Sequence, residues 1–414
     1  MNGYAKNKSF FSLLPLYLVI FFGFLGYSLT ITIFTPMFLN YNSFNILSNK
    51  AVTLGFLLCL YPLGQFISSP ILGALSDKYG RKPTLVVSLI LSIIWYVLII
   101  ISLITYQLWL LMISCFLCGL SEGNVVIAQG SISDVSDETN RVKLFGYIYL
   151  FASLSFIIGP LAGGKLADPN LFSGFSFYTP FMVVAVLLVF VLLLVLLVFT
   201  ETKVKKEEKI SLFFAMTNLF NVFKKSEIRF LYFINFLIYF AIFGFFRSFP
   251  MYIIDTYNMS VSRESEFIAW VAVPIIISNM FLTGFLSKYF NVKSITVVSS
   301  ILMGFFMFIV ILPKYEGALW ITLFLTAIPI ALCLPACATV LSLLVSQKSQ
   351  GKVMGNNQSL NVGSEVVSGL AAGFIASVNY SLPLIVLAVI SIIAGVMLWI
   401  SPYKLVKNNK KIEI

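Results

Sequence analysis

Twelve stretches of this chain are predominantly apolar over some 20 or more residues, at roughly 11–37, 51–75, 83–104, 107–132, 142–165, 177–199, 228–254, 266–287, 294–312, 317–345, 353–377 and 380–402. A stretch of about 20 such residues is what a helix needs to cross the hydrocarbon core of a bilayer. Lipid offers the backbone no hydrogen bonds, so each crossing segment must satisfy its own. The expected fold is therefore an all-α membrane protein with twelve transmembrane helices. A membrane barrel would show alternation over segments of about ten residues, and none is read here. Charged residues make up 10% of the 414, against about a quarter in a soluble domain. Lys6 and Lys8 precede a first apolar run longer than the core of a signal peptide, so that run is read as an uncleaved helix.

The net charge of +11 invites a nucleic-acid reading, and the distribution of charge opposes it. With both termini cytoplasmic, 22 of the 27 Lys and Arg residues fall on the cytoplasmic side, which is the positive-inside pattern. The basic excess thus sets topology and meets anionic headgroups. The expected partners are the lipid bilayer, protons and a small-molecule substrate, with no nucleic acid, for a monomer. The five cysteines all fall within spans, so no disulfide framework is expected. Cys115 and Cys118 have C-x-x-C spacing without a second pair, and there is no histidine. They read as small packing residues, and no metal site is expected. No G-x-x-x-x-G-K-[ST] loop is present and no histidine is available for a Ser–His site, so the chain is read as neither an ATP-driven machine nor an enzyme, and no cofactor is expected. A receptor or scaffold would need a soluble domain, and about a dozen residues follow the last span.

The longest and most charged connection begins at 201. It divides the chain into a half at 1–200, a linker at 201–227 whose apolar middle, Ile210 to Phe223, could lie along the membrane surface, and a half at 228–414. The halves are weak repeats. "GALSDKYGRK" at 73–82 returns at an offset of 211 as "GFLSKYFNVK", and "IIGPLAGG" at 157–164 returns at an offset of 210 as "VSGLAAGF". Two matches at nearly one offset point to duplication and two pseudo-symmetric six-helix halves.

The stretch "GALSDKYGRKP" at 73–83 places charges between two apolar spans. Gly80 permits a tight turn that aims Arg81 and Lys82, and Pro83 suits the first turn of the next helix. Asp77 is an anion where the positive-inside rule asks for cations, and Asp134, at the cytoplasmic end of span 4, is placed to meet Arg81. These residues read as a latch that closes the cytoplasmic side in one state and opens in the other.

Here the sequence resembles the major facilitator superfamily of secondary transporters. The family motif Gly-x-Leu-Ala-Asp-Arg-x-Gly-Arg-Lys/Arg-Pro is matched by Gly73, Leu75, Asp77, Gly80, Arg81, Lys82 and Pro83. The span 5 stretch "SFIIGPLAGG" resembles the Gly-x-x-x-Gly-Pro-x-x-Gly-Gly motif of drug–proton antiporters through Gly159, Pro160, Gly163 and Gly164, with Ser155 for the first Gly. "SDVSDETNRVKLFG", which includes Arg141, resembles the tetracycline-efflux group, whose span 4 Arg is replaced here by Cys115. The resemblance implies the major facilitator fold, a gating role for Gly73 to Lys82 with Asp134 and Arg141, and a cavity lined by spans 1, 4, 7 and 10.

Three charges are expected inside the membrane: Glu122, Arg247 and Glu365. A charge at the centre of a span costs about 2.5–3.5 kcal/mol on insertion scales, so such residues usually serve a pathway. Glu122 lies in a semi-polar stripe of span 4 with Cys115, Gly119, Val126 and Gln129; span 7 has its own with Tyr232, Asn235, Tyr239, Phe243 and Arg247. Without histidine, a group that carries protons must be a carboxyl, with Glu122 first and Glu365 second. Arg247 is placed to pair with Glu122 or to meet an anionic group on the substrate. Two readings stay open: a proton-coupled exporter of small amphipathic compounds working by alternating access, and a proton-coupled importer of a metabolite or siderophore whose carboxylate Arg247 holds. Short loops suit a bacterial inner membrane.

Overall fold

The computed structural model describes residues 10–40, 44, 49–136, 140–202, 228–344 and 347–401. Among them are twelve helices long and apolar enough to cross a membrane, and no strand. They are α1 (Phe11–Leu39), α2 (Lys50–Tyr79), α3 (Arg81–Ile104), α4 (Leu108–Asp134), α5 (Lys143–Leu166), α6 (Thr179–Leu197), α7 (Arg229–Tyr257), α8 (Val261–Tyr289), α9 (Val292–Val310), α10 (Glu316–Leu344), α11 (Val353–Ala376) and α12 (Leu382–Ile400). The expected linker and its surface helix lie almost wholly outside the described residues. One boundary differs in consequence. Span 8 starts at Val261 rather than 266, so Arg263 and Glu264 belong to a helix and not to an outer loop.

The helices form two compact units. One comprises Met1–Ile46, Leu60–Met216 and Ser260–Ser265; the other comprises Leu47–Cys59, Thr217–Met259 and Glu266–Ile414. In the first, α1 packs on α5 and α6, and α3 packs on α4 and α6. In the second, α7 packs on α11 and α12, and α9 packs on α10 and α12. Every one of these pairings recurs six helices later, so the repeat read in the sequence is a repeat of packing: two pseudo-symmetric sets of six.

Span 4 is not one continuous helix. It runs as Leu108–Glu122 and Asn124–Asp134, interrupted at Gly123, whose φ of −59° and ψ of −6° form a turn. The cause is a close crossing with α2. Gly119 lies on the Tyr61 carbonyl and Gly64 on the Phe116 carbonyl, where a Cβ would collide with backbone. Gly123 faces the side chains of Ser68 and Leu72, with the Ser69 backbone nitrogen 3.2 Å from where its Cβ would stand. Glycine removes the side chain between two helices and lets their backbones touch, and here it also lets α4 break. The interruption splits the expected stripe: Glu122 ends one segment, while Val126 and Gln129 belong to the next.

A second interruption follows Pro274. α8 runs as Val261–Ile277, a π turn at Ser278–Leu282, and Thr283–Tyr289. Proline lacks the N–H of the ladder and crowds the preceding turn, and a π turn is a common way to absorb such a fault. Pro329 and Pro335 instead lie inside an unbroken helix, Leu319–Leu344.

The α2–α4 crossing gives a direct test. Gly119→Val should lower stability by about 1–3 kcal/mol, the usual cost of overpacking. Gly284→Ala, with nothing within 4 Å of the added methyl, should shift it by under ~1 kcal/mol in either direction. Thermal unfolding of the detergent-purified variants reads both.

Candidate functional site

The charged connection between α2 and α3 is organised around Arg81. Its guanidinium donates Nε to Asp134 Oδ2 at 2.9 Å, Nη1 to Ser76 Oγ at 2.6 Å, and Nη2 to Asp77 Oδ1 at 3.0 Å. One planar fork thus ties α2, α3 and the end of α4, which a lysine could not reproduce. Gly130 makes room for it: a Cβ there would stand 2.9–3.0 Å from the guanidinium carbon and both terminal nitrogens. Gly80 turns the chain with φ of +106°, a conformation open essentially to glycine. Gly73 sits over Val126, and its carbonyl accepts the Ser76 hydroxyl at 2.7 Å.

A residue that sequence reading missed completes this corner. Glu201, just past α6, accepts from the backbone N–H of Arg81 at 2.9 Å and of Lys82 at 3.0 Å. These are orphan donors at the N-terminus of α3, where the helix dipole also favours an anion. Lys82 Nζ donates to the Leu196 carbonyl at 2.8 Å, anchoring the end of α6. Arg141 begins the helix of α5, but its side chain lies outside the described residues.

The α5 motif works through close approach. Ser155 donates its hydroxyl to the Ala152 carbonyl at 2.6 Å, and the Ser155 carbonyl accepts from Ser28 of α1 at 3.4 Å. Gly159 faces Ser28, Gly163 faces Leu29, and Gly164 abuts Ser265 and the Val261 carbonyl at the start of α8. Pro160 sits buried inside the helix between these contacts.

Glu122 is 1% exposed at the α4 interruption. Its Oε1 has no hydrogen-bond partner among the described residues. Gln65 of α2 reaches only its backbone carbonyl, at 3.5 Å. Around it lie Gly23 of α1 and the hydroxyl-bearing rings of Tyr61 and Tyr96; the Tyr61 hydroxyl is given to the Gly23 carbonyl at 3.2 Å. Gln129, half-buried on the second segment, is not joined to this group by any hydrogen bond among the described residues.

In the second unit Arg247 is fully buried and pairs with Glu365, Nη2 to Oε1 at 3.3 Å. Glu365 was not among the partners expected for Arg247, which were Glu122 or an anionic group on the substrate. The two charges come from α7 and α11, and their proximity could not be read from either span alone. Gly369 flattens α11 beside the arginine: a Cβ there would stand 2.9 Å from its Nε. Toward the other end of the same seam, Asn235 Nδ2 donates to Asn357 Oδ1 at 3.1 Å and to the Cys337 carbonyl at 3.2 Å, and Asn357 Nδ2 donates to the Tyr239 hydroxyl at 2.9 Å. Asn356 donates to the Tyr232 hydroxyl at 3.4 Å. Asn356 and Asn357 were missed in a span where only Glu365 was singled out as a candidate site residue. Phe243 packs, partly buried, against the core of this unit.

Comparison with known proteins agrees with this geometry. The family model of the Major Facilitator Superfamily matches residues 16–281 and 267–413. The chain is 29% identical over 350 residues to a class H tetracycline resistance protein of Pasteurella multocida, covering 81% of this chain and 82% of that protein. It is 32% identical over 188 residues to the quinolone resistance protein NorA of Staphylococcus aureus, a match confined to 44% of this chain and 45% of that one. Among solved structures, a bacterial homologue of the human lysosomal transporter Spinster superposes with a TM-score of 0.74 at 16% identity, covering 95% and 97% of the two chains, and a D-xylose–proton symporter with 0.72 at 14%, covering 94% and 97%. The chain belongs to the major facilitator superfamily. It is an integral membrane transporter and not an enzyme.

The ion pair in the second unit makes a sharp prediction. Removing one partner of a buried pair costs about 3–5 kcal/mol, because the other charge is left bare. Glu365→Gln should therefore unfold at a clearly lower temperature, and adding Arg247→Met should recover part of the loss. A thermal double-mutant cycle checks the coupling.

Proposed function

We propose that the chain is a proton-coupled secondary transporter that exports small amphipathic, drug-like compounds by alternating access, in a bacterial inner membrane with both termini cytoplasmic. The observation that carries the reading is Glu122: a carboxyl buried at a break in α4, with an oxygen that no hydrogen bond occupies among the described residues. A buried ionised carboxylate is costly unless donors surround it. The neutral acid fits this site, and the ionised form needs water or a cationic cargo. Exchange between the two is what coupling requires. The break at Gly123 supplies a place where the backbone can move with the carboxyl.

Drug-like cargo is supported by the relatives, which include tetracycline and quinolone resistance proteins. Partners are thus the small-molecule substrate and protons, within lipid, for a monomer driven by the proton gradient without a cofactor. The halves at 1–200 and 228–414, joined by 201–227, provide the two bodies that alternate. The Asp77–Arg81–Asp134 cluster, with Gly73, Gly80, Lys82 and Arg141, acts as the cytoplasmic gate. The importer reading is weaker, because Arg247, the cation it would use to hold a carboxylate, is already paired with Glu365. That pair and the Asn235, Tyr239 and Asn357 cluster then serve polar recognition beside Phe243 and Gln129.

Purified protein in liposomes with an internal pH dye tests this. Tetracycline or a cationic fluoroquinolone should drive proton movement opposite to the drug, and Glu122→Gln should abolish it while leaving Arg81–Asp134 and the fold intact. Proton movement in the same direction as an organic acid, lost instead in Arg247→Ala, would favour the importer.

A further inference from the structure

Glu264 lies in the first turn of α8 and has no part in the reading above. It is 0% exposed, and neither carboxylate oxygen has a hydrogen-bond partner among the described residues. The hydrogen bonds described on this turn run to other groups. The neighbouring Ser265 gives its hydroxyl to the Ser262 carbonyl at 2.6 Å, and the Ser260 hydroxyl accepts from the Arg263 backbone at 3.2 Å. This turn is pressed onto α5: Gly164 abuts the Ser265 side chain, and a Cβ on Gly164 would stand 3.0 Å from the Val261 carbonyl. The contact lies within one compact unit, since Ser260–Ser265 pack with the first set of helices.

The charged groups near this joint do not answer the carboxyl. On α5 the nearest is Lys165, whose side chain is exposed. Beyond it Asp168 is occupied by the backbone and side chain of Asn170, both at 3.0 Å. α1, which packs on α5, carries no charged residue from Phe10 to Leu39. On α8 itself Arg263 and Glu266 are half-buried and engaged in other interactions. An ionised Glu264 would thus be a buried charge with no hydrogen-bond donor among the described residues, which is the costly arrangement. The neutral acid is compatible with the joint as packed. Ionisation requires water, and water requires that the first turn of α8 leave Gly164.

We propose that Glu264 is a proton-binding switch for the α5–α8 joint, at the end of α5 remote from the Arg81 connection: the joint is closed with Glu264 protonated and opens as the carboxyl loses its proton to water. In that step the O–H bond breaks, the electron pair stays on the carboxylate, and the hydrated proton leaves through the opened joint. The two events are linked, so raising the pH favours the open joint and lowering it favours the closed one. This inference needs only that the joint opens and does not depend on drug export or on Glu122.

A buried reporter at the joint tests it without any transport assay. Ser265→Cys in the full chain, purified in detergent, is labelled with a polar maleimide between about pH 5.5 and about pH 8.5, up to the ordinary pKa of the reporter thiol. The rate is divided by that of Phe172→Cys, an exposed site, to remove the intrinsic pH dependence of the thiol. The corrected rate should rise several-fold with pH, should stay low and flat when Glu264→Gln is added, and should rise again with Glu264→Asp. Ser262→Cys on the same turn replaces the reporter if Ser265→Cys does not fold. A flat corrected rate in the presence of native Glu264, or the same rise in Glu264→Gln, would overturn the proposal. Glu122→Gln should leave the response unchanged, so failure here and failure of the exporter reading are distinguishable.

Discussion

Inside a bilayer a polar group has only the protein to bond to, and that constraint orders this molecule. Serine and threonine hydroxyls throughout the spans return to carbonyls three or four residues back, as in Ser114 to Leu110 at 2.6 Å and Thr326 to Thr322 at 2.7 Å. Arg81 is satisfied by Asp77, Ser76 and Asp134 at a connection, where water is close. Arg247, fully buried, is given a carboxylate from a neighbouring helix. Among the buried carboxyls of the described residues, Glu122 and Glu264 are the two with an oxygen that no hydrogen bond occupies. A buried carboxyl lacking donors is held by the fold at a cost, and a membrane transporter has a use for a group whose charge depends on access to water.

The duplicated architecture shows how one packing scheme serves two purposes. The α1–α5 pair meets through small residues, Ser28 on Ser155 and Gly159, and Leu29 on Gly163. The corresponding α7–α11 pair places Glu365 where the repeat aligns Ser155, and meets through the Arg247–Glu365 pair and the Asn235–Tyr239–Asn357 cluster. The first seam depends on shape and lets backbones approach closely. The second depends on charge and hydrogen bonds, with Gly369 making the room that Arg247 needs. Duplication conserved which helices touch and left free what they touch with.

The twelve spans were legible because lipid imposes a length and a composition on every helix that crosses it. The packing repeat was legible through two short matches. What escaped was whatever depends on contacts between distant spans. Arg247 and Glu365 were each conspicuous as intramembrane charges, yet nothing in either span announces the other. Glu201 looked like the first residue of a charged linker, and only the nearness of the α3 N-terminus makes it a cap. Glu264 fell in an outer loop because span 8 was started at 266, and the helix that begins at Val261 moved it inside. The break at Gly123 was hidden because a glycine in an apolar helix ordinarily reads as a packing residue; the crossing with α2, at the Tyr61 carbonyl beside Gly119 and the Ser68 hydroxyl beside Gly123, decides otherwise.

The central claim is that Glu122 exchanges its proton against cargo. The most direct measurement is proton release on binding: purified protein in weakly buffered detergent with a pH dye, titrated with tetracycline. Protons should appear in proportion to bound drug, and Glu122→Gln should bind without releasing them. Drug binding to the protein with native Glu122 that releases no proton, or release that persists in Glu122→Gln, would contradict the claim.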